Sequence, residues 1–257
     1  MLECYLDDSG THDGSQVVVW GGVAGHSHWM DELDKVWKAR LAQPCDGKPP
    51  INKFHSFDLE CGLGEFQGYS EGARDLTRRN FRQAILDSGV TVVAYGISIK
   101  DWDQLVRQGH GQSDFTAEQG VFGKAIFELA KAAKAENEAL GLIFDRGRDT
   151  PELRKVIMPT VLTAEFEARH LSYTFAPVAS LCALQAADLV AHEAYMAFNQ
   201  LPTNPKAIPR PHALRLFEDA FGGQARWMGR TEIKDTVRRI RRAHKRKEKA
   251  AKKGRGA

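Results

Sequence analysis

The front of the chain constrains the fold most. Leu2-Glu-Cys-Tyr-Leu-Asp7-Asp8-Ser9-Gly10 reads as a short apolar strand that runs straight into two carboxylates and a tight turn. Gln16-Val-Val-Val-Trp-Gly-Gly-Val-Ala24 follows as a second apolar strand of hairpin-partner type. The rest of the fold has to be built around that antiparallel pair. An acidic pair at the end of a core strand is unfavourable unless something cationic stands there. One reading makes Asp7 the first ligand of a divalent-metal site. The other takes Asp7-Asp8-Ser9-Gly10 as ordinary turn chemistry, since Asp, Ser and Gly are the common turn residues.

Strands and helices then alternate. Trp29, Met30, Leu33, Val36, Trp37 and Leu41 have helical spacing, which the Gln43–Pro50 stretch breaks. Phe54 to Glu60 reads as a loop that continues, rich in glycine, to Gly72. A helix is expected over Ala73–Asp87, stopped by Gly89, and the β-branched run Val90–Ile99 predicts a strand. A longer helix spans Thr116–Glu138 with Val121, Phe122, Ala125, Ile126, Leu129 and Ala133 on one face, and Leu140–Phe144 is a short buried strand ending on Asp145. Thr150 and Pro151 open a helix expected to reach Ala168. Leu171–Phe175 is taken as the last strand, Cys182–Asn199 as an apolar helix, and Leu201–Pro211 as a proline-rich break. This order predicts an α/β fold, a mixed sheet flanked by helices over residues 1–200, followed by a basic helical tail in 201–257.

At 257 residues the chain can bury one large core. No apolar run reaches membrane-spanning length, and the N-terminus lacks a basic region followed by an apolar stretch, so neither a membrane partner nor a signal peptide is expected. Cys4, Cys45, Cys61 and Cys182 show no paired spacing, which argues against a zinc site and a disulfide framework and suits a reducing cytoplasm. The sequence does not speak to oligomeric state.

Four acids stand out by position. Asp145 follows Leu-Ile-Phe at a strand end, where sites in open α/β sheets gather, and Thr150 already fills the cap of the next helix. Asp188 sits in Leu184-Gln-Ala-Ala-Asp188-Leu-Val-Ala191, mid-way along an apolar helix, so it is either paired with an arginine or bound to metal. His55 and Asp58 are three residues apart with Glu60 beside them, a modest signal that a solvated surface loop would also give. Asp7, Asp58, Asp145 and Asp188, with Asp8 adjacent and His55 alongside, form an all-oxygen set suited to Mg²⁺ or Mn²⁺. Several carboxylates cannot all ionise at close quarters without cations; two divalent ions would resolve this and clamp a phosphodiester.

These residues resemble a bacterial and phage family called domain of unknown function 3800. Tyr5-Leu6-Asp7-Asp8-Ser9-Gly10 is similar to its Asp-Glu-Ser-Gly signature, with Asp8 where Glu is usual. His55-Ser-Phe-Asp58 is similar to its His-x-x-acid element, with Glu60 an alternative middle acid, and Ile143-Phe144-Asp145-Arg146 to its strand-end aspartate. Leu184-Gln185-Ala186-Ala187-Asp188-Leu189 resembles its Leu-Gln-x-Ala-Asp-Leu helix, the most specific of the four. The resemblance runs from Leu2 to Asn199 and implies a ribonuclease-H-like sheet and metal-dependent phosphodiester cleavage. Asp7 would then bridge two ions, Asp58, Asp145 and Asp188 would complete their shells, and His55 would move a proton or hold a ligand. Arg146 and Arg148 would contact phosphates.

Charge is unevenly spread. Lys234–Ala257 holds 12 Lys or Arg against 2 acids, leaving 24 basic and 31 acidic residues elsewhere, so the tail is about +10 and the body about −7. Ile233, Val237 and Ile240 recur at helical spacing among Arg238, Arg239, Arg241, Arg242, Lys245 and Arg246. Such a segment suits the phosphates of RNA, DNA or a hybrid. A solubilising terminus, or a counter-charge for the acidic body, accounts for the same residues; an anionic membrane surface suits them less well, because the apolar stripe is thin. The expected function is a Mg²⁺- or Mn²⁺-dependent nuclease. The alternatives are a non-catalytic nucleic-acid-binding module of the same fold and a metal-dependent small-molecule phosphohydrolase, the latter disfavoured by the tail.

Overall fold

The computed structural model describes residues 1–107, 115–151, 153–154, 171–199, 201, 216–219, 223–235 and 238. Its centre is the opening hairpin. β1 (Leu2–Ser9) and β2 (Val17–Gly25) are antiparallel, with Tyr5 opposite Val23 and Asp7 opposite Gly21. β3 (Thr91–Ser98) continues the antiparallel pairing on β2. On the other side β4 (Leu140–Asp145) runs parallel to β1, and β5 (Leu171–Ala176) parallel to β4. A further strand, β6 (Gln224–Met228), lies parallel to β3, giving the order β5-β4-β1-β2-β3-β6. The fold is α/β, a mixed six-stranded sheet flanked by helices.

Strand alternation divides the core in two. Cys4 and Leu6 of β1, Val18 and Trp20 of β2 and Phe144 of β4 face α5 (Ala117–Ala135), where Trp20 and Phe122 lie with ring centroids 4.4 Å apart. Val17, Val19 and Val23 face the other way, onto α1 (Ser27–Ala42), α3 (Glu71–Ser88) and α6 (Cys182–Phe198). Burial on both faces explains why β2 reads as an unbroken apolar run. Two glycines set close approaches. A Cβ on Gly21 would stand 2.8 Å from Ala191 Cα, so α6 rests directly on the sheet opposite Asp7. Gly89, at φ +75°, ends α3 beneath the Trp29 ring.

Most of the expected elements are present. Thr116 and Gln119 form a reciprocal capping box at the start of α5. The Thr150 hydroxyl accepts from the Leu153 N–H, the cap its sequence predicts, though most of the helix expected up to Ala168 lies outside the described residues. Three expectations need correction. Leu171–Ala176 is not the last strand. The chain returns beyond the proline-rich segment to add β6, and Ile233 is wholly buried in the α5-side core, so part of 201–257 is built into the sheet. The Gln-Ala-Arg-Trp-Met strand has little β-branched content and lies at an edge, which hid it. The segment read as a loop at 54–60 contains a short helix, α2 (Ser56–Cys61), closed by Gly62 in the left-handed region. A helix α4 (Ile99–Arg107) also follows β3, although Ile99, Trp102, Leu105 and Val106 already had helical spacing.

Candidate metal centre

Period-2 alternation along β1 separates the two adjacent carboxylates. Tyr5 and Asp7 share the α6 face; Cys4, Leu6 and Asp8 share the α5 face. On β4, Leu142 and Phe144 face α5, so Asp145 faces α6. β1 and β4 are parallel with Leu6 paired to Phe144, and the next step of that register sets Asp7 beside Asp145. Asp188 is reached from above: α6 packs on Gly21 at Ala191, one turn beyond Asp188.

The electrostatics record this meeting. Burial pushes the Asp7 carboxyl well above the usual carboxylate range, and the neighbouring charges of Asp188, Asp8 and Asp145 push it further, against a smaller opposing backbone hydrogen bond. Among the described residues no Lys or Arg pairs with Asp7. Asp145 and Asp188 are each fixed by a backbone donor: the Val178 N–H donates to Asp145 Oδ1 at 3.1 Å, and the Ser56 N–H donates to Asp188 Oδ2 at 2.7 Å. An ionised carboxylate retains acceptor capacity beyond one such bond.

Asp8 is placed differently from its neighbour. Its carboxylate lies on the α5 face, with Oδ1 2.6 Å from Arg148 Nε, and accepts from the Thr11 hydroxyl at 2.7 Å. Arg148 also contacts Glu118 at the start of α5. Burial still outweighs the guanidinium, leaving the Asp8 and Glu118 carboxyls raised. The geometry therefore gives Asp8 an arginine as its partner, and commits Arg148, expected on phosphate, to two carboxylates. Arg146 stands exposed in the turn after β4. Arg238 is exposed and 3.2 Å from Asp235, while Arg239, Arg241, Arg242, Lys245 and Arg246 lie outside the described residues.

The middle acids also divide. His55 is the residue that precedes α2, and its Nδ1 lies 3.1 Å from Asp58 Oδ2. Glu60 is taken by the largely buried Arg78 at 2.6 Å; Arg78 also meets the exposed Asp75 at 2.7 Å, and Arg82 lies 3.4 Å from the buried Glu193. Asp58 is thus the acid left facing His55. Its carboxylate is not among the charges that act most on Asp7; its tie to the centre is Ser56, two residues earlier, which holds Asp188.

Gln185 was not singled out from sequence as a functional residue. Buried at 1% exposure, it accepts from Trp37 Nε1 at 3.2 Å and from the Phe54 N–H at 2.9 Å, and donates from Nε2 to the Val178 carbonyl at 3.4 Å. The available signal was a second polar residue in the apolar helix, three positions before Asp188. Gly21 in the apolar β2 run likewise signalled the close approach of α6.

Among the described residues, no three His, Cys, Asp or Glu side chains stand together as a ready ligand group. Asp7, Asp145 and Asp188 lie on one side of the sheet, with the charges of Asp188, Asp8 and Asp145 acting on Asp7, and they do not form a closed cage. An all-carboxylate donor set with an uncompensated acid at its centre fits a hard divalent cation such as Mg²⁺ or Mn²⁺, and gives no soft ligand for zinc. No family model matches the chain, and none of the curated proteins matches it. Among the described residues no helix is long and apolar enough to cross a membrane.

Proposed function

We propose that this protein is a Mg²⁺- or Mn²⁺-dependent nuclease on a ribonuclease-H-like fold, of the kind its motifs resemble. The observation that carries the reading is the placement of Asp7 and Asp145 on one face of adjacent parallel strands beneath the helix that carries Asp188, where the charges of Asp188, Asp8 and Asp145 act on Asp7 and no described Lys or Arg pairs with it. The mixed sheet, with Asp7 and Asp145 on adjacent parallel strands and Asp188 on the covering helix, is the architecture that reading requires. Bound divalent ions would lower the pKa of a water and polarise a phosphate. Of the protein's own groups, Asp7, Asp145 and Asp188 would hold the cations. The His55–Asp58 pair, half-buried at the mouth of α2, is suited to moving a proton or steadying a ligand. Arg146 and the basic tail would meet phosphates without reading sequence.

The test is cleavage of labelled RNA, DNA and hybrid substrates with Mg²⁺, Mn²⁺ or EDTA. Metal-dependent cleavage of at least one substrate, lost in Asp7→Asn, is expected; no cleavage of any substrate with either ion would overturn the assignment. The absence of a ready three-ligand group among the described residues favours a second reading, a non-catalytic nucleic-acid-binding module. That reading predicts salt-sensitive binding unaffected by EDTA. Truncation for the binding arm belongs after Arg238, because Ile233 is part of the core. Removing the remaining basic residues should weaken binding of long nucleic acid at low salt and flatten its salt dependence.

A further inference from the structure

We infer that Gln185 is the positioning residue of the carboxylate centre: its side-chain amide sets the two backbone donors that aim Asp145 and Asp188. This rests on the metal-site reading above and adds to it the group that holds the ligands in place.

Asp145 accepts from the Val178 N–H, and the carbonyl of that same Val178 accepts from Gln185 Nε2. Asp188 accepts from the Ser56 N–H, and Phe54, two residues earlier in the same segment, donates its N–H to Gln185 Oε1. One amide therefore clamps two separate pieces of chain, the turn after β5 and the entry to α2, and each piece presents an N–H to a different candidate ligand. The second segment also carries His55 and, one turn further, Asp58.

The orientation of the amide is set by its partners. Two donors, the Phe54 N–H and Trp37 Nε1, lie at one end and an acceptor, the Val178 carbonyl, at the other, so only the oxygen can face the first and only the nitrogen the second. Trp37 is itself wholly buried, with Phe54 and Phe81 packed edge-on against it, so the amide is braced against a well-packed part of the core. Gln185 lies on α6 three residues before Asp188, and the helix that carries one ligand thus also fixes the segments that aim it and its partner. Groups that orient ligands in this way influence ion affinity by about 10- to 100-fold.

The experiment compares wild type, Gln185→Met, Gln185→Glu and Leu33→Ala in the full chain. It measures Mn²⁺ affinity by calorimetry, thermal midpoint, and exchange of individual backbone amides by NMR. Gln185→Met removes both ends of the clamp. The Ser56 and Val178 amides should exchange faster, and Mn²⁺ should bind about ten-fold more weakly or worse. Gln185→Glu keeps the acceptor and loses the donor. The Val178 amide should lose protection while Phe54 and Ser56 keep theirs, which keeps the idea testable if the methionine variant does not fold. Leu33→Ala opens a cavity in the same core and should lower the thermal midpoint without moving Mn²⁺ affinity, separating positioning from general loss of stability. Unchanged Mn²⁺ affinity in a folded Gln185→Met, or full protection at Val178 in Gln185→Glu, would overturn the assignment. Failure of the wild type to bind Mn²⁺ would instead overturn the metal reading, and the amide exchange would still decide whether Gln185 clamps the two segments.

Discussion

Asp7 and Asp8 are chemically identical neighbours that a half-turn of β-strand places in opposite situations. Asp8 points to the α5 face and meets Arg148, which also answers Glu118. Asp7 points to the α6 face and meets Asp188 and Asp145. One side of the sheet sets a guanidinium against its carboxylates, whereas on the other side no described Lys or Arg pairs with Asp7. A buried acid with its own guanidinium is a structural device; a buried acid facing two more is unfavourable unless a cation joins them. The comparison teaches that adjacency in sequence says little about shared function in a strand, where the period is two residues.

The largest expected effect comes from removing a charge on the α6 face. Asp7→Asn or Asp188→Asn should weaken divalent-ion binding by more than about 100-fold, beyond what ligand-orienting groups contribute. Without an ion, the variants should be as stable as the parent or more so, since repulsion is relieved. Calorimetric ion titration alongside thermal unfolding in EDTA checks both parts, and a strongly destabilised Asp188→Asn would mark that residue as half of a structural pair.

Next in size is the α5 face. Arg148→Ala leaves Asp8 and Glu118 without their cation and should cost about 2 kcal/mol at neutral pH, less than a fully buried pair because Arg148 is 30% exposed. The loss should shrink on acidification. Both carboxyls are already raised by burial and would rise further without Arg148, so the folded state binds protons more readily than the unfolded one. Stability conferred in this way is fully present below the ordinary carboxylate range and is lost as pH climbs through the raised values. Urea unfolding of the variant at pH 5 and pH 7.5 reads the difference.

The same sign applies to Asp7 in the intact protein. Its raised carboxyl makes the EDTA-treated protein lose stability as pH rises from the ordinary carboxylate range through the elevated value. Mg²⁺ should flatten that decline, because an ion bound to the ionised form supplies the missing charge. Thermal midpoints across pH, with and without Mg²⁺, should diverge most at the alkaline end, and Asp7→Asn should show a shallower decline. The smallest effect concerns the paired acids near α2. Glu60→Gln leaves Arg78 with Asp75 and Glu193 and should shift stability by about 1 kcal/mol with ion binding intact, whereas Asp58→Asn should lower cleavage and leave stability unchanged within about 0.5 kcal/mol. Cleavage rates and unfolding curves of the two variants separate the roles.

Much of this arrangement was legible in the sequence. The hairpin, the alternation of strands with helices, the helix from Thr116, the cap at Thr150, and the odd positions of Asp7, Asp145 and Asp188 all follow from local patterns that read one segment at a time. What escaped depends on partners distant in sequence. Asp8 looked equivalent to Asp7 because its arginine arrives 140 positions later. Gln185 escaped because its partners, Trp37, Phe54 and Val178, come from three other segments. β6 escaped because an edge strand of Gln-Ala-Arg-Trp-Met carries no clear alternation of its own and is specified mainly by the open edge of β3.

The most direct measurement is a Mn²⁺ titration of wild type, Asp7→Asn and Asp8→Asn side by side. The two substitutions are chemically the same and one residue apart, so only the face on which each carboxylate lies distinguishes them. The expected result is binding by wild type, near-complete loss in Asp7→Asn, and a change of no more than about three-fold in Asp8→Asn, whose removal leaves Arg148 its Glu118 partner. Equal binding by wild type and Asp7→Asn, or equal loss in both variants, would contradict the account.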